Sequence, residues 1–137
     1  MHPHITVITL AVKDLHASFE FYHYGLGLPS QGIIGTEFEY GAVAFFELQQ
    51  GLKLALWPQD SLSHDTGLKT SAFCATQMSL GHNVNSPAEV DRLMQQAIQA
   101  GAKVVKPAQP TFYGGYAGYF QDLDGHLWEM VYNPHLS

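Results

Sequence analysis

The chain has 137 residues, 46% of them apolar and 13% charged, with a formal net charge of −6. That length suits one compact domain, and the apolar share excludes a disordered chain. Six Lys and Arg residues scattered along an acidic chain exclude a phosphate-backbone grip, so no nucleic-acid partner is expected, and the lone Cys74 excludes an intrachain disulfide.

Residues 5–12, Ile-Thr-Val-Ile-Thr-Leu-Ala-Val, are apolar and β-branched and predict a strand buried on both sides. Asp14 can cap a helix, because its carboxylate accepts bonds from the first free amides. Leu15, Phe19 and Tyr22 then recur at helical spacing, and Gly25 and Gly27 stop the helix. Three short strands are predicted near 32–39, 42–48 and 52–57, with turns at Gly41 and Gln50-Gly51. Residues 59–76, holding Asp60, Ser61, Ser63, Asp65, Gly67 and Lys69, read as a polar linker.

The second half repeats this order. Residues 77–85 predict a strand, and Ser86-Pro87-Ala88-Glu89 is a capping box with proline at the first helical position. Val90, Leu93, Met94, Ala97 and Ile98 form an apolar stripe that ends at Gly101. Strands follow near 103–106, 115–121 and 126–132, the last two joined by a tight Asp124-Gly125 turn. The segment Pro107–Tyr113, before Gly114-Gly115, is a candidate lid, with ordinary turn duty as the alternative.

A single shift of 125 − 51 = 74 residues aligns Gly51 with Gly125, Gly41 with Gly115, Ala44 with Gly118 and Phe46 with Phe120. The opening strands align at 84 − 12 = 72, Val12 on Val84. The fold class is therefore α+β: one domain over 1–137, made of two tandem βαβββ modules, 4–58 and 77–134, with a linker at 59–76. One module alone leaves a sheet face wet, so the two are expected to pack together.

Two stretches, Val12-Lys-Asp-Leu-His-Ala-Ser-Phe-Glu-Phe-Tyr22 and Asp122-Leu-Asp-Gly-His-Leu-Trp-Glu129, resemble the vicinal oxygen chelate superfamily. That superfamily includes glyoxalase I, extradiol dioxygenases and bleomycin-resistance proteins, and the resemblance runs from about residue 5 to 134. Tyr113-Gly-Gly-Tyr-Ala-Gly-Tyr119 looks most like glyoxalase-family members whose reactions are unassigned. The resemblance implies a mixed sheet curled into a cup with helices outside. It also implies, in metal-dependent members, a divalent ion held by two residues from each module.

Carried over one at a time, the four ligand positions fall at Val7, Ala55, Ser79 and Glu129. Val7 and Ala55 have no donor atom and a serine hydroxyl is a weak ligand for zinc, nickel or iron. No cofactor is therefore expected; a divalent metal is disfavoured, and Glu129 would be its ligand if one bound. Strand alternation turns His4, His82 and His126 away from the Glu129 face. The same alternation places Val7, Thr9, Lys53, Ala55, Trp57, Ser79 and Asn83 on the ligand-binding face. Trp57, Tyr113, Tyr116, Tyr119 and Tyr132 are candidates for an aromatic wall, although Tyr132 and Trp128 have the parity of the helix side. Tyr113 and Tyr119 complete the candidate ligand-binding set.

Glu129 is the candidate catalytic residue, suited to proton shuttling or to pairing with a cationic ligand. The expected function is a metal-free small-molecule binder of the glyoxalase/bleomycin-resistance kind. The alternatives are a lyase or isomerase with Glu129 as general base, a metal-dependent dioxygenase-like enzyme with atypical ligands, or a partner-binding subunit. Whether the chain is an enzyme stays open. A homodimer is expected, with no membrane partner, and the single cysteine and the lack of a long apolar run favour the cytoplasm.

Overall fold

Alternation of apolar and polar residues, interrupted twice by a helical stripe, builds two units of the same design. The structure, a computed structural model, describes residues 1–136. The first unit spans Met1–Ala72 and the second begins at Phe73. Among the described residues no helix is long and apolar enough to cross a membrane.

The first unit holds β1 (Val7–Val12), α1 (Leu15–Glu20), β2 (Ser30–Ile34), β3 (Val43–Glu47), β4 (Lys53–Pro58) and α2 (Gln59–Thr66). Its sheet has the order β1-β4-β3-β2, with β1 parallel to β4 and the other pairs antiparallel. Asp14 caps α1 as expected, its Oδ1 accepting from the Ala17 amide at 3.0 Å. The helix then continues as a π-helical turn over Phe21–Gly25. Leu15 and Tyr22 bury against the sheet face formed by Leu10, Val12, Ala44, Phe46, Leu54 and Leu56.

The second unit holds β5 (Ser79–Val84), α3 (Pro87–Ala100), β6 (Lys103–Pro110), β7 (Tyr116–Gln121) and β8 (Leu127–Tyr132). Its sheet order, β5-β8-β7-β6, repeats the first. The register repeats too: Val7 pairs with Lys53 as Ser79 pairs with Leu127, and Thr9 pairs with Ala55 as Gly81 pairs with Glu129. The fold is thus α+β with two four-stranded mixed sheets. Ser86 Oγ accepts from the Glu89 amide at 3.2 Å and Glu89 Oε2 accepts from the Asn85 amide at 2.9 Å, which closes the predicted cap of α3. Gly101 ends the helix in the left-handed region, at φ 108°.

Four expectations need correction. The opening strand, predicted to be buried on both sides, buries Leu10 and Val12 on one side and leaves Val7 and Thr9 exposed on the other. The strand predicted near 32–39 is Ser30–Ile34 and stops at Gly35. There the chain turns so tightly that a Cβ on Gly35 would strike the Gly41 carbonyl, and one on Gly41 would strike Phe38 and the Gly35 carbonyl. The segment read as a polar linker begins with α2, which ends at left-handed Gly67. It carries no apolar stripe to announce it. The candidate lid Pro107–Tyr113 is mostly strand: β6 runs to Pro110, with Gln109 opposite Ala117 and Pro110 opposite Tyr116. An edge position with two register irregularities accommodates Pro107 and Pro110, which cannot donate to a ladder.

Candidate functional site

The second sheet has one face under α3 and one face free of it. Gly118, Phe120, Trp128 and Met130 lie on the helix side. A Cβ on Gly118 would meet Met94 Cε of α3 at 3.0 Å, and Phe120 stacks on Trp128 at 6.3 Å. Tyr116 is also on the helix side, its hydroxyl donating to Asp91 Oδ1 of α3 at 2.8 Å, so it is no part of an aromatic wall on the other face. Tyr132 pairs with Tyr116 in register and shares that side.

The opposite face carries Ser79, Gly81 and Asn83 from β5, Leu127, Glu129 and Val131 from β8, and Ala117, Tyr119 and Gln121 from β7. Gly81, Glu129 and Tyr119 form one row across three strands. The Tyr119 hydroxyl donates to Glu129 Oε2 at 3.0 Å. Burial above all, then the bond to Glu129, its negative charge and the neighbouring Tyr113, hold the Tyr119 phenol above the usual tyrosine range. The phenol is therefore a fixed donor at neutral pH. On the other side of the carboxylate a methyl placed on Gly81 would lie 3.8 Å from Oε1. Ser79 and Asn83 flank that gap and are exposed. Tyr113 lies in the turn before β7, which Thr111 ties together by accepting from the Gly115 amide at 2.9 Å.

The corresponding face of the first sheet is built on two cross-strand rows, Val7-Lys53-Glu47 and Thr9-Ala55-Phe45. Lys53 Nζ pairs with Glu47 Oε1 at 2.6 Å, both side chains well exposed, so the pair adds at most about 1 kcal/mol. A hollow of about 650 Å³ opens here, lined by Val7, Pro29, Ser30, Gln31, Gly32, Ile34, Phe45, Glu47 and Lys53. That volume is in the range of small-molecule sites. The hollow belongs to the first unit and the Glu129–Tyr119 pair to the second. Trp57 follows Thr9 and Ala55 along the same face, but its Nε1 is committed to the Tyr40 carbonyl at 3.2 Å. Tyr40 in turn stacks on His64 of α2 at 4.0 Å. Trp57 thereby anchors the 35–41 turn.

A sequence model of the family described as "Glyoxalase/Bleomycin resistance protein/Dioxygenase superfamily" matches residues 3–130. The chain belongs to this superfamily. A solved glyoxalase-related enzyme from Fulvimarina pelagi is 34% identical, with 96% of this chain and 89% of that one covered and a TM-score of 0.81. A glyoxalase/bleomycin resistance protein/dioxygenase from Nocardioides is 25% identical over 100% of this chain and 87% of its own, at a TM-score of 0.76. A lactoylglutathione lyase from Agrobacterium tumefaciens, 21% identical over 96% and 94% of the two chains, has a TM-score of 0.68 and shares the fold. No curated protein matches the chain by sequence.

The metal centre implied by the superfamily resemblance does not fit the residues present at its four positions. Val7 and Ala55 offer no donor. Ser79 offers a hydroxyl, and Glu129 has one oxygen engaged by Tyr119. One carboxylate is too small a donor set for a tightly held ion.

Among the described residues, Asp122, Asp124 and His126 are the group of three whose ligand atoms come together, within 4.8 Å. Spacing alone would admit an ion. The hydrogen bonds commit Asp122 elsewhere. Its Oδ1 accepts from the amides of Asp124 at 3.0 Å and His126 at 2.8 Å, and its Oδ2 lies 2.8 Å from His126 Nδ1. Gly125, at φ 96°, lets the chain reverse between them. The Phe73 ring meets the His126 ring edge-on at 4.9 Å. This is a lock on the β7–β8 turn. Sequence reasoning saw the Asp124-Gly125 turn but missed the lock. An aspartate opening a turn, with a histidine four residues on, was the available signal. His82 lies on β5 with the opposite parity to Gly81 and is exposed.

Proposed function

We propose that this superfamily member binds a small organic molecule on the α3-free face of its second sheet. Glu129 Oε1 accepts a hydrogen bond from a donor or cationic group of the ligand, and no tightly held catalytic ion takes part. The observation that carries this reading is the Tyr119–Glu129 pair. A part-buried carboxylate needs its lone pairs satisfied. Here a protonated phenol satisfies one oxygen and orients the side chain, which leaves the other directed at the gap over Gly81. Leu127, Tyr119 and the nearby Tyr113 supply apolar and aromatic contact, while Ser79 and Asn83 supply further polar groups. A few placed polar groups on an apolar surface is the usual composition of a small-molecule site.

Thermal melting against a panel of planar amines and amidines tests the reading. At least one compound should stabilise the chain by about 1–2 kcal/mol at ligand excess, and Glu129→Gln should abolish that shift. A panel without hits, or a shift that survives Glu129→Gln, refutes it.

A second reading draws support from the 34% identity to a glyoxalase-related enzyme. In it Glu129 is a general base on a carbon acid: the proton passes to Oε1 and the electron pair moves onto the adjacent carbonyl oxygen. Ser79 and Asn83 are the side-chain donors beside Glu129 on that strand face, and they would have to stabilise the oxyanion. A methylglyoxal–glutathione turnover that Glu129→Gln abolishes supports this reading. Elemental analysis of protein purified without chelator tests the metal-free part of both: a stoichiometric ion overturns it.

A further inference from the structure

Three glycines lie inside strands: Gly32, Gly81 and Gly118. Two of them have a local reason in the fold. Gly32 has φ 98°, a conformation that side chains disfavour. A Cβ on Gly118 would crowd Met94 Cε and the Ala108 amide nitrogen, each at 3.0 Å. Gly81 has neither reason. Its φ is outside the left-handed region, and β5 pairs with β8 without a bulge from Ser79 to Val84. The one atom a Cβ would meet is Glu129 Oε1, at an ordinary contact distance of 3.8 Å. Glycine inside a strand weakens it through backbone entropy and lost packing, and where no bulge or bend explains it, it marks a place that something else approaches closely.

What approaches is set by the chemistry around the gap. Oε2 of Glu129 is engaged by Tyr119, and Oε1 has no hydrogen-bond partner among the described residues. Ser79 and Asn83 stand on the same face, each two residues from Gly81, which is about 6.6 Å along the strand. A carboxylate flanked by a hydroxyl and an amide oxygen offers acceptors in a row. The matching ligand group is compact, cationic and rich in N–H, because such a group makes charge-assisted bonds to Oε1.

We propose that Gly81 is a specificity-determining residue: its missing side chain is the opening through which a primary ammonium, amidinium or guanidinium group reaches Glu129 Oε1. This rests on the reading of Glu129 as the ligand's anchor. A larger residue at 81 fills the opening with its side chain while leaving the strand intact.

Two measurements on the full chain test it. The first needs no ligand. A water-soluble carbodiimide with glycinamide couples accessible carboxyls, and peptide mass spectrometry reads each site. Glu129 should be modified in the native protein, and Gly81→Val should suppress modification at Glu129 while leaving the exposed Glu37 and Glu39 unchanged. Equal labelling of Glu129 in both proteins overturns the proposal. The second uses benzamidine and guanidinium as probes in thermal melts. A shift seen in the native chain should be lost in both Gly81→Val and Glu129→Gln. A shift lost in Glu129→Gln but kept in Gly81→Val overturns the role of Gly81 and leaves the Glu129 site standing. A native chain that neither probe stabilises overturns the ligand class assigned to Glu129. The milder Gly81→Ala separates this role from packing, since its melting temperature should equal or exceed that of the native chain. A marked fall would make the glycine a packing requirement and sink the proposal.

Discussion

Replacing Asp122 by alanine should unlatch the β7–β8 turn. The carboxylate of Asp122 accepts from two backbone amides, Asp124 at 3.0 Å and His126 at 2.8 Å, and meets His126 Nδ1 at 2.8 Å. Asp122 and His126 are 6% and 8% exposed, so water cannot readily replace those bonds. A hydrogen bond to a charged group contributes about 1.5–3 kcal/mol net, so losing the three to the carboxylate costs about 4.5 kcal/mol or more. That is a large share of a typical domain stability of about 5–15 kcal/mol. Asp122→Asn keeps an oxygen for the two amides but makes those bonds neutral and removes the carboxylate facing His126, so it should cost about 2–3 kcal/mol. Urea unfolding followed by tryptophan fluorescence measures both. With a slope of about 2 kcal/mol per molar, the midpoint should fall by roughly 2 M or more in Asp122→Ala and by roughly 1–1.5 M in Asp122→Asn. Two results refute the reasoning: an unchanged midpoint in Asp122→Ala, or a native midpoint that drops when a chelator is added. The second would mean that an ion, and not the hydrogen bonds, holds Asp122, Asp124 and His126 together.

Gly118→Ala should destabilise by about 1–3 kcal/mol in the same assay, because its methyl has to displace Met94 Cε or the backbone at Ala108. A neutral result would show that this contact relaxes freely. Tyr119 predicts a pH effect of definite sign. Its folded value is raised, so as pH climbs past about 10 the unfolded chain loses the phenol proton first. The contribution is complete below that pH and is lost as pH rises through the folded value. An absorbance titration should contain late-ionising tyrosine signal that Tyr119→Phe reduces. Glu129→Gln should move Tyr119 only part of the way back, since burial is the larger cause. A complete return to the ordinary value would show that the carboxylate, not burial, controls the phenol.

Local patterns reached far in this chain. The capping box at Ser86, the apolar stripe through Val90, Met94 and Ala97 and the stop at Gly101 describe α3 almost to the residue. The repeat predicted two units, and the matched registers of β1 with β4 and β5 with β8 show why it exists. Parity placed Ser79 and Asn83 on the face of Glu129, as the strand pairing has them, whereas Tyr119 joins that face through its pairing with Glu129. Elsewhere local signals were missing or misleading. Helix α2 has no apolar stripe over Gln59–Thr66, so its helical state could not be read from periodicity. The extension of β6 through Pro107 and Pro110 depends on a neighbour that tolerates an irregular edge.

From residues alone came whatever repeats over a few positions: element types, their order, the caps and turns, and which side chains share a face. These follow from periods of 2 and 3.6 and from the conformational limits of Gly, Pro and Asp. The tertiary structure alone decided which side chains meet. Glu129 lies between Tyr119, ten residues back along a hairpin, and Gly81, on a parallel strand nearly fifty residues earlier. Parallel pairing is set by burial over the whole sheet and not by the intervening chain, so the open oxygen of Glu129 becomes visible only once β5 is docked beside β8.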